Sequence, residues 1–192
     1  LTPNNGQRRV VVGYSMGVPS AWCLGWALRT FPRNEVIAMN HDTKEEHPDT
    51  YRFGREMAAA LGVDIVDASD GRSVTQLFRD EGLLGNNQQS MCSRILKREQ
   101  GDKFVRNLLT QGFRVVQVFG FSAGEPERIA RSVGKAFNAG TAARFPLIEE
   151  MVTKQQCSDW CLEMGVKPSA MYCWADHANC IGCVKGGREY WL

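Results

Sequence analysis

No apolar run in this sequence approaches the roughly 20 residues that a membrane-crossing helix needs, and the opening Leu1-Thr2-Pro3-Asn4-Asn5-Gly6 lacks the apolar stretch of a secretory leader. A cytoplasmic protein with no membrane partner is expected. Charge of one sign is scarce too: 23 Lys and Arg stand against 21 Asp and Glu, a formal net charge of +2. The total therefore excludes a strongly basic molecule built for nucleic acid and leaves only a local patch open. Repeats and low-complexity tracts are absent, which excludes a solenoid or a repeat array.

Cysteine, by contrast, is plentiful. The count of 7 is odd, and the residues gather toward the C-terminus, where Cys180-Ile181-Gly182-Cys183 forms a C-x-x-C. In an intracellular protein this reads as metal or redox chemistry rather than a disulfide framework. A length of 192 residues, 43% of them hydrophobic, suffices to bury a core and suits one domain with a small appendage.

Apolar runs at residues 10–14, 35–40, 63–67 and 114–119 read as strands, separated by helix-like stretches at 21–30, 50–61 and 95–110. The alternation predicts an α/β fold with an open, mostly parallel, doubly wound sheet and helices on both faces. Ligands of such sheets bind beyond the carboxyl ends of the strands, and three of the four predicted strands end at polar or small segments, 15–20, 41–43 and 120–125. Between Ser69 and Ser93 the pattern weakens, and 82–87 is predicted as loop. A helix from about Thr153 to Met164 leads into a tail rich in Gly, Cys and aromatics. The predicted division is a nucleotide-binding core, 1–145, and a C-terminal helix with its C-x-x-C tail, 146–192, packed on that core.

Ser15-Met16-Gly17-Val18-Pro19-Ser20 is a small-residue loop that opens a helix directly after the first strand. Such a junction turns backbone N–H groups and the positive end of a helix dipole outward, which suits a phosphate or sulfate. Gly17 lets the backbone approach an anion, and Ser15 and Ser20 offer hydroxyls; an ordinary strand-to-helix turn has the same composition. Asp42, ending the second strand, is expected beside this loop, where a carboxylate holds Mg²⁺ or orients a ribose, or else caps the turn. His41 and His47 read as solvated or locally bonded.

Cys92 stands at a helix start with Arg94, Lys97 and Arg98 in the next turns, a setting that favours a thiolate able to attack or to bind metal. The competing reading is a buried Cys on a solvated basic helix. In the tail, Cys180 and Cys183 lie within chelating reach of each other, and the flanking glycines let the backbone wrap a metal or cluster. Cys92 is the preferred third ligand, Cys173 and His177 are reserves, and a thiol redox pair is the rival reading. Cys157 and Cys161, four apart on a helix with Trp160 and Met164, read as core, as does Cys23. Arg128 and Arg131, on a helix opened by Pro126, either clamp an anion or belong to a plain amphipathic helix. With Cys92 and the tail on one edge, Arg94, Lys97, Arg98, Lys185 and Arg188 would rim a mouth that attracts a phosphate backbone.

Together these segments resemble the adenine nucleotide alpha-hydrolase (PP-loop) superfamily, and most closely its phosphoadenosine-phosphosulfate reductase-like branch, over residues 10–191. Residues 15–20 resemble the pyrophosphatase loop SGGxDS, and Asp42-Thr43 with His47-Pro48-Asp49-Thr50-Tyr51 resembles the second-strand motif. Cys92-Ser93 with Leu96-Lys97, Gly120-Phe121 with Glu125 and Arg128, and the tail NCIGCVKGG follow in the branch's order. The resemblance implies ATP or a related adenine nucleotide on Ser15, Gly17, Ser20, Asp42, Gly120 and Phe121, with Mg²⁺ and with anionic substrate against Arg94, Lys97, Arg128 and Lys185. It implies catalysis by Asp42 and Cys92, and a 4Fe–4S iron–sulfur cluster, with zinc as the alternative, on Cys92, Cys180 and Cys183. The implied activity is adenylation of an acceptor, a nucleic acid, followed by sulfur transfer to it, the sulfur coming from a donor protein. Reduction of adenylyl or phosphoadenylyl sulfate is the alternative, and a nucleotide-binding module without catalysis is the third. The chain departs from the pattern at Met16, where the loop has its first glycine, and at Pro19, where many members are acidic. It also lacks the Glu-Cys-Gly-Leu-His motif of assimilatory reductases, and Met91 replaces the first member of the Cys-Cys pair found in some relatives.

Overall fold

The computed structural model describes residues 6–86, 89–178, 180–186 and 190. Its strands are β1 (Arg8–Gly13), β2 (Val36–Asn40), β3 (Ile65–Asp67), β4 (Arg114–Val118) and β5 (Ala142–Arg144). Its helices are α1 (Val18–Thr30), α2 (Pro48–Ala60), α3 (Val74–Glu81), α4 (Glu99–Thr110), α5 (Pro126–Asn138), α6 (Pro146–Glu149) and α7 (Lys154–Glu163). All strands run parallel in one open sheet of order β3-β2-β1-β4-β5. The fold is thus the α/β class expected.

The central strand explains the two layers. Val10, Val11 and Val12 are all buried because both faces of β1 are covered, the reason parallel strands read as unbroken apolar runs. Val10 and Val12 join Leu24, Phe53, Met57 and Cys161 on one face, while Val11 joins Val105, Leu108, Phe113 and Val115 on the other. Helix α1 is buried around most of its circumference, from Val18 to Ala27, and lies between the sheet and α7. Gly25 permits that contact, since a Cβ there would come within 2.6 Å of the Trp160 ring. Cys23, Cys157 and Cys161 belong to this core as expected, the last two on the apolar face that their helical spacing predicts.

Strand order reverses at β1: the chain moves to β2 and β3 on one side, then returns to β4 and β5 on the other. The loops after β1 and β4 consequently flank the switch point at the carboxyl edge of the sheet, the place where doubly wound folds form their ligand crevice. Elements beyond the sequence prediction include α3, β5, the short α6, and a π-helical turn over Ser93–Arg98 that feeds α4. Among the described residues no helix is long and apolar enough to cross a membrane.

Candidate functional site

The loop after β1 is closed by Ser20. Its Oγ accepts the Gly17 N–H at 3.2 Å and donates to the Gly17 carbonyl at 2.9 Å, while Ser15 Oγ lies 3.3 Å from it. Pro19 falls in the first turn of α1, where a missing N–H leaves no bond unmade. Met16 is buried with φ of 58°, a left-handed conformation that a side-chain-bearing residue rarely adopts. From the β4 side Gly120 closes on the same loop, for a Cβ there would stand 3.3 Å from Ser20 N. The two loops that flank the switch point therefore touch through backbone.

The C-terminal segment lies on top of this loop. Tyr172 Oη accepts the Val18 N–H at 3.1 Å, and a Cβ on Gly17 would sit 3.0 Å from that oxygen and 3.9 Å from Ala178 Cβ.

At the end of β2, Asp42 Oδ1 accepts the Lys44 N–H at 2.8 Å and the Tyr51 hydroxyl at 2.5 Å. Its own N–H donates to Ser69 Oγ at 2.7 Å. Asp42 thus shares the strand edge with the 15–20 loop, and one of its oxygens already works as a turn cap. His41 Nδ1 lies 3.1 Å from Ala68 O, with burial holding its pKa below the usual imidazole range, and His47 Nδ1 accepts the Asp49 N–H to cap α2. Both are locally bonded.

Beyond Asp42 the tail pairs with the chain. Glu46 and Cys180 form an antiparallel bridge, and the Ile181 N–H donates to Glu45 O at 2.6 Å. The Cys180 thiol lies 3.1 Å from Thr43 Oγ1 and donates to Glu46 Oε1 at 3.4 Å, where Lys97 Nζ also donates at 3.1 Å. Glu46 Oε2 is buried without a partner among the described residues. Burial, then the Glu46 carboxylate, pushes the Cys180 thiol up to about 12 against the pull of Lys97 and Thr43. Burial works against the Lys97 charge, but Glu46 and the thiols of Cys180 and Cys92 hold its pKa above the ordinary value. Glu46 is invisible as a site residue in sequence, where one acid of a charged turn looks like any other.

Cys92 immediately precedes the π-helical turn and packs on Leu77, Ile95 and Leu96. Lys185 reaches back from the tail to Ser93 Oγ at 3.0 Å. Tail and helix start thus meet, yet among the described residues no three His, Cys, Asp or Glu side chains converge as a metal-binding group. The physical reason is that Cys180 is turned to Thr43 and Glu46 while Cys92 is turned to an apolar cluster. Cys92, Cys180 and Cys183, the expected ligands of an iron–sulfur cluster or zinc ion, thus form no such group among the described residues.

Of the expected anion-binding cations, Arg94 pairs with Glu99 at 2.8 Å and Lys97 with Glu46. Arg128 pairs with Glu125 and stacks 4.2 Å over the Phe121 ring. Phe121 in turn stacks on Phe119, centroids 5.4 Å apart, forming an aromatic ledge beside Gly120. Arg98 is exposed; Arg188 lies outside the described residues.

A parallel sheet that reverses its strand order at β1, with a small-residue loop at the reversal, is the architecture of a doubly wound α/β protein. The chain belongs to the phosphoadenosine phosphosulfate reductase domain family, whose profile matches residues 9–187. Among solved structures it is similar to phosphoadenylyl-sulfate (PAPS) reductase from Candida auris in its phosphate complex, at 16% identity and a TM-score of 0.52 over 88% of this chain and 78% of that chain. At that identity the likeness is one of fold.

Proposed function

We propose that this chain is an adenine-nucleotide-dependent enzyme of sulfur chemistry. The nucleotide's phosphates, or a sulfate, lie on Ser15, Gly17 and Ser20, with Asp42 and the ledge of Gly120 and Phe121 to either side. The observation that carries the reading is the path of the tail: Ala178 sits over Gly17, Cys180 bonds to Thr43, and Lys185 reaches Ser93 beside Cys92. Thiols and phosphate loop thereby share one strand edge, and short range is what a thiol reaction on a bound adenylate requires. The preferred activity is sulfur transfer to an adenylated acceptor, with a sulfur donor protein as partner. Exposed Arg98, on the π-helical turn that follows Cys92, supports a nucleic-acid acceptor, whose phosphates it would attract.

Reduction of adenylyl or phosphoadenylyl sulfate is the second reading, and the family match favours it. The product decides between them. Pyrophosphate released from ATP in the presence of acceptor is the result expected of the first reading, and sulfite and the nucleoside phosphate released from adenylyl or phosphoadenylyl sulfate in the presence of a dithiol would replace it by the second. Nucleotide binding with neither product would reduce the chain to a binding module.

A further inference from the structure

We propose that Tyr172 is a ligand-positioning residue of the 15–20 loop, donating its phenol proton to the anionic group of the bound nucleotide; the inference rests on the reading of that loop as the nucleotide site. The geometry is that of a relay. The first turn of α1 presents the Val18 N–H outward, and Tyr172 Oη accepts it at 3.1 Å, with Ala178 Cβ beside the same Gly17 position. Having accepted that N–H on its oxygen, the phenol still carries its own proton to donate. It stands over the bare backbone of Gly17, 3.0 Å from where a Cβ would be, which is where a phosphate or sulfate oxygen would approach. Burial, the largest cause, raises the phenol's pKa, so the proton stays available to donate.

The placement of the ring is built rather than incidental. A short 3₁₀ turn, Ala170–Cys173, carries Tyr172, and fully buried Met171 anchors it. Asp49 Oδ2 accepts the Ala170 N–H at 2.6 Å, and Ser169 Oγ lies 3.2 Å from Thr50 Oγ1, so the turn is fastened to α2 at two points. Lys154 Nζ stands 4.9 Å from the Tyr172 ring centroid, a cation–π contact that helps to hold the ring in place. Donor and loop come from residues about 150 positions apart, joined only by the fold.

Calorimetry on wild type and Tyr172→Phe, with ATP, adenylyl sulfate and adenosine as ligands, tests the proposal. Phe keeps the ring and its packing, and thermal unfolding of both proteins verifies the fold. The expected result is an affinity for ATP and adenylyl sulfate lowered about tenfold, the effect of one hydrogen bond to a charged group, with adenosine unaffected. Equal or tighter binding of ATP by the variant would overturn the assignment, as would an equal loss for adenosine, which marks a general loosening. A wild type that binds none of the three fails the loop reading itself and this inference with it; a wild type that binds with an indifferent variant fails the Tyr172 assignment alone.

Discussion

Met16 is the residue that departs most visibly from a glycine-rich loop, and its surroundings explain how it is tolerated. Left-handed backbone costs an L-residue about 1–2 kcal/mol, yet the Met16 side chain is only 6% exposed and lies against α2 at Gly54. A Cβ on Gly54 would fall 2.4 Å from Met16 Cγ and 2.5 Å from its Cβ, so the two positions share one space. The Gly54 carbonyl also accepts the fully buried Tyr14 hydroxyl at 2.6 Å, fixing α2 to the start of the loop. Gly54→Ala is expected to cost about 1–3 kcal/mol, because the clash is with the first carbons of Met16 and not with its flexible end. Met16→Gly relieves the backbone but opens a void, a term of about 2–5 kcal/mol for a large buried side chain, so it too destabilises. In the double variant the methyl added at position 54 enters the space the Met16 side chain has left, and the combined cost falls below the sum. Urea unfolding of the four proteins would contradict this account by returning additive values.

At the scale of elements, α2 holds the C-terminal turn through Asp49. Its hydrogen bond with Arg52, then the Ala170 N–H, takes the Asp49 carboxyl from 3.8 down to about 2. A carboxyl that titrates lower in the folded protein contributes fully above its unfolded value and loses that contribution as pH falls through its folded one. Wild type is therefore expected to exceed Asp49→Asn in stability above about pH 4, with the gap closing toward pH 2. Urea unfolding across that range measures it, and a gap indifferent to pH would refute it. The elements differ in how plainly sequence announces them. β1, β2 and β4 are legible because burial demands runs such as Val10-Val11-Val12; β5, Ala142-Ala143-Arg144, has no alternation to read. Helix α3 buries only Leu77, so its periodicity is faint, although Ser73 and Gln76 spell a cap signature and Gly82 ends it at φ 62°. The π-helical turn over Ser93–Arg98 has an ordinary helical sequence and differs only in its hydrogen bonding. Ser15, Gly17, Ser20 and Gly120 are legible as candidate site residues because loop chemistry restricts them to small types. Tyr172 and Glu46 are not, since their roles come from contacts across the fold.

At the scale of the molecule, one strap at the C-terminal end of the chain spans the carboxyl edge of the sheet. Tyr172 meets Val18 after β1, Cys180 meets Thr43 and Glu46 after β2, and Lys185 meets Ser93 at the turn that leads into α4. The sheet supplies the loop edge through its strand reversal, and the strap brings Cys180 and Cys183 to that side of the fold; neither part alone assembles both. The proposed chemistry requires that this edge take an adenine nucleotide by its anionic end. The most direct measurement is calorimetric titration of ATP, AMP and adenylyl sulfate into wild type and Ser20→Ala, the residue whose hydroxyl closes the loop on Gly17. The expected result is binding of at least one of the three by wild type, weakened about tenfold or more in Ser20→Ala. Wild type binding none of them, or both proteins binding equally, would contradict the account.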